Sequence, residues 1–217
     1  MTLEINPDRD ALIIVDVQND FCEPTERGGG ALAVPDGAAV LPVINEIAPR
    51  FKTRILTQDW HPAGHTSFAS SHTGKQPFET TELSYGTQVL WPDHCVQSTW
   101  GSAFHPDLIT DGAALIVRKG YRPEIDSYSA FFENDRQTPT GLTGALRDLE
   151  VRRVVLCGLA TDFCVGFSAL DAASLGFEVV VLEDACRAID LDGSLDAMQA
   201  QWKAAGVVVN MASTNSG

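Results

Sequence analysis

Cys164 is the residue of this sequence that is best placed for nucleophilic chemistry. The apolar run at 153–157 predicts a strand, a turn follows, and apolar residues at helical spacing from 163 to 174 predict a helix that Thr161 or Asp162 could cap. Free N–H groups and the helix dipole favour an anion in the first turn of a helix, so a thiol there tends towards the thiolate. A cysteine is also commonly an ordinary core residue, and that second interpretation stays open at this position.

Three charged residues lie at the ends of other predicted strands. Asp16 comes after the apolar run 11–15, Asp59 after 54–58, and Lys119 shortly after 113–117. Parallel strands joined by helices place their carboxyl ends at one edge of a sheet, so these side chains and the thiol are expected together. A carboxylate, an ammonium and a thiol can serve as base, charge stabiliser and nucleophile in acyl transfer. A lysine after a strand is usually only solvated, so the case for Lys119 depends on this grouping.

All but one of the five histidines lie between residues 61 and 94. Asp59 and His61 are two residues apart in an extended segment, so both side chains can point towards one divalent metal ion. His94 offers a third ligand, and Trp91 close to it could form the wall of a pocket. The alternative for the Asp-x-His pair is an ordinary solvated loop.

The remaining sequence predicts the elements that position these residues. Further strands are predicted at 177–182 and 207–209, helices at 36–47, 138–149 and from Ser194 to 202, and a long aromatic-rich loop at 66–106. Pro42 has to lie in the first turns of its helix. The glycine-rich surface loop at 23–30 has neither the GxGxxG nor the GxxxxGK[ST] spacing of nucleotide-binding loops, so no nucleotide cofactor is indicated. His72 and His105 are expected to face solvent.

Length and composition restrict the class of protein. The 217 residues, 44% of them hydrophobic, predict a single domain over residues 1–217. The net charge of −14 opposes binding to nucleic acid or to an anionic membrane, so the substrate is expected to be a small molecule. The five cysteines show no paired spacing, and the N-terminus does not resemble a leader peptide. No apolar run approaches the roughly 18 residues of a membrane span. These features predict a cytoplasmic location. A homo-oligomer stays open.

Short motifs are spread along the chain at the predicted strand ends and loops. They are DVQNDF at 16–21, GALAV at 30–34, TQDWHP at 57–62, WPDHCVQ at 91–97, RKG at 118–120, EIDSYSAFF at 124–132 and GLATDFCV at 158–165. Together they resemble the nicotinamidase/pyrazinamidase group of the isochorismatase-like cysteine hydrolases. The resemblance implies an α/β fold of three α/β/α layers with a doubly wound, six-stranded parallel sheet. It also implies hydrolysis of nicotinamide, and of pyrazinamide, to the acid and ammonia in NAD salvage.

The resemblance assigns catalytic roles to individual residues. The catalytic triad falls on Asp16, Lys119 and Cys164. Asp16 is expected to take the thiol proton, the thiolate to attack the carboxamide carbon, and a thioester to form on Cys164. The bond between Leu159 and Ala160 matches one that is cis in relatives. The N–H groups of Ala160 and Cys164 are expected to hold the oxyanion.

The resemblance also assigns binding roles. Metal ligands fall on Asp59, His61 and His94, with His65 as a further candidate that some relatives use. Zinc is the expected ion, with iron or manganese as alternatives. The pyridine ring is expected between Phe21 and Trp91, with Leu159 and Ala160 also at the substrate. Relatives commonly read FCPGG after the phenylalanine, whereas the loop at 21–30 is longer here, which affects how the pocket is covered.

Three alternatives remain beside the nicotinamidase assignment. A cysteine hydrolase of another small amide, such as a carbamoyl-amine or a ureido acid, would share the triad, although those relatives generally lack the Asp-x-His and WPxHC motifs. An isochorismatase would lack the nucleophilic cysteine. A non-catalytic metal-binding or interaction module of the same fold would not need an intact Asp16, Lys119 and Cys164.

Overall fold

A six-stranded sheet forms the centre of the structure, a computed structural model that describes residues 3–212. The strands of the described chain are β1 (Asp10–Val15), β2 (Thr53–Asp59), β3 (Thr80–Leu83), β4 (Gly86–Val89), β5 (Leu115–Lys119), β6 (Arg153–Leu159), β7 (Glu178–Arg187) and β8 (Val208–Asn210). The α-helices are α1 (Val40–Ile47), α2 (Leu142–Asp148), α3 (Gly166–Ser174) and α4 (Ser194–Ala205). The large sheet has the order β5-β2-β1-β6-β7-β8 with every neighbouring pair parallel. The predicted doubly wound α/β fold with six parallel strands is confirmed.

The central strands are continuously apolar because both of their faces are covered. Every residue of β1 is buried, and so is every residue of β6 after Arg153. Strands of this kind lie in the middle of parallel sheets with helices on both sides. The edge strand β5 differs, since Leu115 and Ile116 are exposed. The most apolar strands therefore lie at the centre of the sheet.

The boundaries of the predicted elements shift where tertiary contacts decide them. The third predicted strand, 113–117, lies at 115–119, so Lys119 is the last residue of β5 rather than a residue after it. Strand β7 extends to Arg187, well beyond the predicted end at 182. Helix α1 begins at Val40, after a 3-10 turn, and places Pro42 in its first turn as predicted.

The long irregular segment at 66–106 contains an antiparallel hairpin that the sequence did not predict. Strands β3 and β4 pair from Thr80 with Val89 to Leu83 with Gly86. The side chains of these two strands are mostly polar, and Gln88 is the only buried one among them, so the sequence shows no apolar alternation there.

The expectation of a solvent-facing His105 is also wrong, because this side chain is buried.

Backbone hydrogen bonds tie the end of the glycine-rich loop at 23–30 to residues 19 and 20. The Gly30 N–H donates to the Asn19 carbonyl at 3.0 Å, and the Leu32 N–H donates to the Asp20 carbonyl at 3.0 Å. Gly29 has a φ of 91° and passes so close to Asn19 that an added Cβ would lie 2.8 Å from the Asn19 carbonyl oxygen.

Among residues 3–212, no helix has both the length and the apolar character needed to cross a membrane.

Candidate active site

Neighbouring strands of the sheet bring the predicted site residues to one edge. Asp16 directly follows β1, while Asp59 and Lys119 are paired residues at the ends of β2 and β5. Cys164 lies in a π-helical turn, Thr161–Val165, that follows β6. The parallel order β5-β2-β1-β6 therefore places the ammonium, both carboxylates and the thiol side by side.

Lys119 lies at the centre of this group and is fully buried. Its Nζ is 2.8 Å from Asp16 Oδ2, 2.8 Å from Asp59 Oδ1 and 3.4 Å from Cys164 Sγ. It also donates to the Ser127 carbonyl at 2.8 Å. Burial alone would lower the pKa of Lys119, but the two carboxylates outweigh it and hold that pKa well above the usual range. The solvated-lysine interpretation is therefore wrong for this residue.

Burial and the Lys119 ammonium act in opposite directions on the pKa values of Asp16 and Cys164. Burial raises the pKa of the Cys164 thiol well above its usual value, although Lys119 opposes the shift. Burial also raises the pKa of Asp16, again against the effect of Lys119. Thr57 Oγ1 donates to Asp16 Oδ1 at 2.6 Å, which leaves Oδ2 to face Lys119. Its place in the first turn therefore does not by itself favour the thiolate, and the transfer of the thiol proton to Asp16 stays a prediction.

The nucleophile turn is built by the backbone. The peptide bond between Leu159 and Ala160 is cis, as the resemblance implies. The Val165 N–H then donates to the Ala160 carbonyl at 3.1 Å, which closes the π-helical turn around Cys164. Ala160 and Cys164 both line the pocket described below, whereas Leu159 is buried and is not among the lining residues of the described chain. The oxyanion role of the two N–H groups stays a prediction.

The predicted side-chain cap of the nucleophile turn is wrong. Neither Thr161 nor Asp162 makes a capping hydrogen bond there. The buried Asp162 carboxylate instead accepts from the Ile189 N–H at 3.0 Å, the Asp190 N–H at 2.8 Å and Ser194 Oγ at 2.5 Å. Asp162 thus joins the nucleophile turn to the loop after β7 and to the first residue of α4.

A group of potential metal ligands lies beside the triad. The ligand atoms of Asp59, His61 and His94 all lie within 4.8 Å of one another. His61 Nδ1 is 2.8 Å from the Gly120 carbonyl, and His94 Nδ1 is 2.8 Å from the Pro92 carbonyl. Since a carbonyl can only accept, Nδ1 of each ring is placed as the donor, and Nε2 is the nitrogen available to a metal ion.

The orientation of these side chains suits a divalent metal. The Nε2 atoms of His61 and His94 lie 3.1 Å and 3.5 Å from Asp59 Oδ2, while the other carboxylate oxygen faces Lys119. Imidazoles whose second nitrogen donates to a carbonyl are the usual arrangement at protein metal sites. Two imidazole nitrogens and one carboxylate oxygen also match the donor set of sites that keep an open position for another ligand.

His65 lies behind His61 rather than beside Asp59. Its ring centroid is 4.4 Å from that of His61, and it falls in a second group of potential ligands with His61 and Asp126. Its Nδ1 is 2.7 Å from Ser67 Oγ, and its Nε2 is 2.8 Å from the Arg122 carbonyl. Both nitrogens thus have protein partners, and a ligand role for His65 stays a prediction.

A narrow pocket opens above Cys164, Asp59 and His94. Its walls include the predicted Phe21 and Trp91, both buried. Trp91 packs edge-on against Phe163 at a centroid distance of 4.9 Å, and Phe21 packs edge-on against His94 at 5.5 Å. An apolar pocket with a few polar groups at one end suits a flat heteroaromatic ring.

Sequence reasoning missed several residues that line this pocket. They are Leu32, Asp126, Tyr128, Phe163 and Ile189. Four of them lie within the motifs at 30–34, 124–132 and 158–165, and that position is the only signal that could have found them. Ile189 carries no such signal, because the bonds of Asp162 bring its loop to the pocket.

Comparison with known proteins agrees with the geometry. The Isochorismatase domain family model matches residues 10–213. A nicotinamidase of Acinetobacter baylyi is 51% identical over 197 residues, which are 91% of this chain and 90% of that protein. The solved structure of an Acinetobacter baumanii nicotinamidase and pyrazinamidase has a TM-score of 0.92 at 51% identity and covers 96% of this chain and 98% of that chain.

A solved structure of a more distant relative contains a metal. The pyrazinamidase of Pyrococcus horikoshii, solved in complex with zinc, has a TM-score of 0.73 at 36% identity and covers 94% of this chain and 99% of that chain. Both the family model and the relatives span most of the sequence, and the motifs of the site lie within the matched residues. The chain therefore belongs to the isochorismatase family and, within it, to the nicotinamidase and pyrazinamidase branch.

Proposed function

We propose that this chain hydrolyses the carboxamide of nicotinamide to nicotinate and ammonia through a thioester on Cys164. Nicotinamide hydrolysis is the activity of the branch to which the chain belongs, and it is a step of NAD salvage. Pyrazinamide is proposed as a second substrate, because it carries the same carboxamide on a ring of the same size. The observation that carries the mechanism is the contact of Lys119 with both Asp16 and Cys164 at the floor of an aromatic pocket.

The first half-reaction forms the thioester. Asp16 takes the proton of Cys164, and the sulfur attacks the carboxamide carbon to give a tetrahedral oxyanion. The N–H groups of Ala160 and Cys164 hold that oxyanion, and one such donor typically contributes about 10²–10³ in rate. The C–N bond then breaks, and Asp16 returns the proton to the leaving nitrogen, so that ammonia departs.

The second half-reaction releases the acid. Asp16, ionised again, takes a proton from a water molecule, whose oxygen attacks the thioester carbon. The second tetrahedral oxyanion collapses, the C–S bond breaks, and Asp16 returns its proton to the Cys164 sulfur. The acid leaves as nicotinate after its own proton passes to solvent. One carboxylate thus acts alternately as base and acid, which a raised pKa of Asp16 favours because the group can then hold the proton between steps.

Lys119 stabilises charge during both half-reactions. Its ammonium lies 3.4 Å from the sulfur and 2.8 Å from Asp16, so it favours the thiolate as that anion forms and keeps the carboxylate in place. Because the pKa of Lys119 is held well above its usual value, the ammonium does not give up its own proton. Lys119 is therefore a fixed charge and not an acid.

We propose that Asp59, His61 and His94 hold one divalent metal ion, zinc in the first place and iron or manganese as alternatives. The support is the pair of Nε2 atoms that face Asp59 Oδ2, together with the zinc in the Pyrococcus horikoshii pyrazinamidase. When bound, such an ion supplies a Lewis-acid contact for the ring nitrogen of the substrate. The chain's own Phe21 and Trp91 supply the apolar walls that hold the ring.

The decisive experiment measures ammonia release from nicotinamide by the wild type, by Cys164→Ala and by Cys157→Ala as the matched control. Cys157 is also buried but lies inside β6, with its sulfur 3.8 Å from the Ile13 carbonyl. We expect turnover by the wild type and the control, and none by Cys164→Ala. Acid quenching of the wild type during turnover should trap an acyl adduct on the Cys164 peptide, detectable by mass spectrometry.

Two results would reject the proposal in different ways. Wild-type protein that leaves nicotinamide untouched after incubation with zinc, iron or manganese would reject the substrate, and other small amides would then be screened. Turnover that persists in Cys164→Ala would reject the thioester.

The single domain over 1–217, the cytoplasmic location and a homo-oligomer stay predictions.

A further inference from the structure

Gln88 on strand β4 is the buried centre of a hydrogen-bond network behind the pocket. Its Nε2 donates to Asp126 Oδ2 at 2.8 Å and to Tyr128 Oη at 2.9 Å, and it lies 2.7 Å from the Val89 carbonyl. Gln88 is 1% exposed, although it belongs to a hairpin whose other residues are largely exposed. The hairpin thus contributes one side chain to the interior, and that side chain ends at the pocket wall.

The other end of the Gln88 amide is equally engaged. Its Oε1 accepts from Tyr85 Oη at 3.1 Å and from Asn134 Nδ2 at 3.2 Å. Asn134 Oδ1 in turn accepts the Tyr128 N–H at 2.9 Å. With donors on one side and acceptors on the other, the amide has one favourable orientation, so it can hold its partners in fixed places.

Two of these partners belong to the ring-binding pocket, and a third pocket residue is joined to them. Tyr128 Oη accepts not only from Gln88 but also from Trp91 Nε1 at 3.2 Å. Asp126, Tyr128 and Trp91 all line the pocket. A single side chain therefore fixes one carboxylate directly, one aromatic ring directly and the indole ring through that hydroxyl.

We propose that Gln88 is a positioning residue that sets the shape of the ring-binding pocket for the aromatic amide substrate. The proposal rests on the proposed function, since it names the residue that orders the ring-binding wall of that same site. Gln88 has no hydrogen bond to Asp16, Lys119 or Cys164 within the described chain. Its contribution is therefore to substrate binding and not to the chemical step.

The test compares Gln88→Met with the wild type and with Thr87→Ala. Methionine keeps a similar length but can neither donate to Asp126 and Tyr128 nor accept from Tyr85, whereas Thr87 is exposed and lies outside the network. We expect the KM for nicotinamide to rise about tenfold or more in Gln88→Met, because buried polar partners lose their bonds, with kcat changed by less than about threefold. Thr87→Ala should leave both constants unchanged.

A second readout reports on the wall without turnover. The contribution of Trp91 to the near-ultraviolet circular dichroism, obtained by difference from Trp91→Phe, should decrease in Gln88→Met, because the indole loses its fixed partner. Tyr85→Phe, which removes one donor to Gln88 Oε1, should give smaller changes of the same direction. This milder variant decides the question if Gln88→Met does not fold.

The outcomes separate this inference from the proposed function. If kcat falls as much as KM rises, or if both KM and the Trp91 signal stay unchanged, the positioning role is overturned while nicotinamide hydrolysis stands. If the wild type fails to hydrolyse nicotinamide, the proposed function fails. The Trp91 signal of Gln88→Met then still decides whether Gln88 orders the pocket wall.

Discussion

Lys119 provides the sharpest test of how this site is held together, because its buried ammonium lies between two buried carboxylates. Nζ is 2.8 Å from an oxygen of Asp16 and 2.8 Å from an oxygen of Asp59. At an effective dielectric constant of 20, one such contact corresponds to about 6 kcal/mol of Coulomb energy. Desolvation offsets much of this, and removal of one partner from a buried ion pair typically costs about 3–5 kcal/mol.

We therefore expect Lys119→Met to lower the free energy of unfolding by about 3–5 kcal/mol at pH 7 in chelated protein. Methionine has a similar volume, so the loss reports the missing charge and its hydrogen bonds rather than a cavity. The measurement is urea unfolding followed by far-ultraviolet circular dichroism, with the midpoint and slope fitted separately. Turnover should be lost as well, since no cation then faces the forming thiolate.

The control is Lys52→Met, which breaks an ion pair of the same type on the surface. Lys52 Nζ lies 3.1 Å from Asp8 Oδ1, but both side chains are more than two-thirds exposed, so the change should cost less than about 1 kcal/mol.

A double variant separates stability from catalysis. Asp16→Asn/Lys119→Met removes one of the two uncompensated carboxylates and should recover at least about 1 kcal/mol relative to Lys119→Met, while turnover stays absent. If Lys119→Met is no less stable than Lys52→Met, or if the double variant is as unstable as the single one, the assignment of Lys119 as the buried counter-charge is refuted.

Three further predictions concern the base, the metal and the pocket loop. Because burial raises the pKa of Asp16 and the mechanism needs its ionised form, kcat/KM should fall as the pH decreases through a half-point above 3.8, and a half-point at or below that value in a pH–rate profile would contradict the assignment. His61→Ala and His94→Ala should lose bound metal, measured per chain by plasma mass spectrometry after dialysis, whereas His65→Ala should keep it because both of its ring nitrogens are already bonded; metal loss in His65→Ala would make it a ligand. Asp162→Asn should raise KM more than it lowers kcat, since the amide cannot accept all of the bonds that hold the loop at the pocket, and steady-state kinetics showing a loss in kcat alone would refute this.

The elements of the large sheet were largely predictable because their signal is local. A strand buried on both faces of a parallel sheet reads as a continuous apolar run, and such runs stand out at 11–15 and 154–157 without any knowledge of their neighbours. The antiparallel hairpin was not predictable in this way. Its strands Thr80–Leu83 and Gly86–Val89 are stabilised by pairing and by one buried glutamine, so the sequence shows no hydrophobic period.

The sequence by itself determined which chemical groups stand near the strand ends: Asp16, Asp59 and Lys119 come at or just after predicted strands, and Cys164 comes after the turn that follows one. Only the tertiary structure decided the direction of their pKa shifts, because burial raises the pKa of the thiol and two carboxylates raise that of the lysine. The tertiary structure also decided that Asp162 binds the loop after β7 instead of capping its own turn, and which residues line the pocket. A hydrogen bond or an ion pair between residues far apart in the chain depends on distance and burial, and neither quantity is written in local spacing.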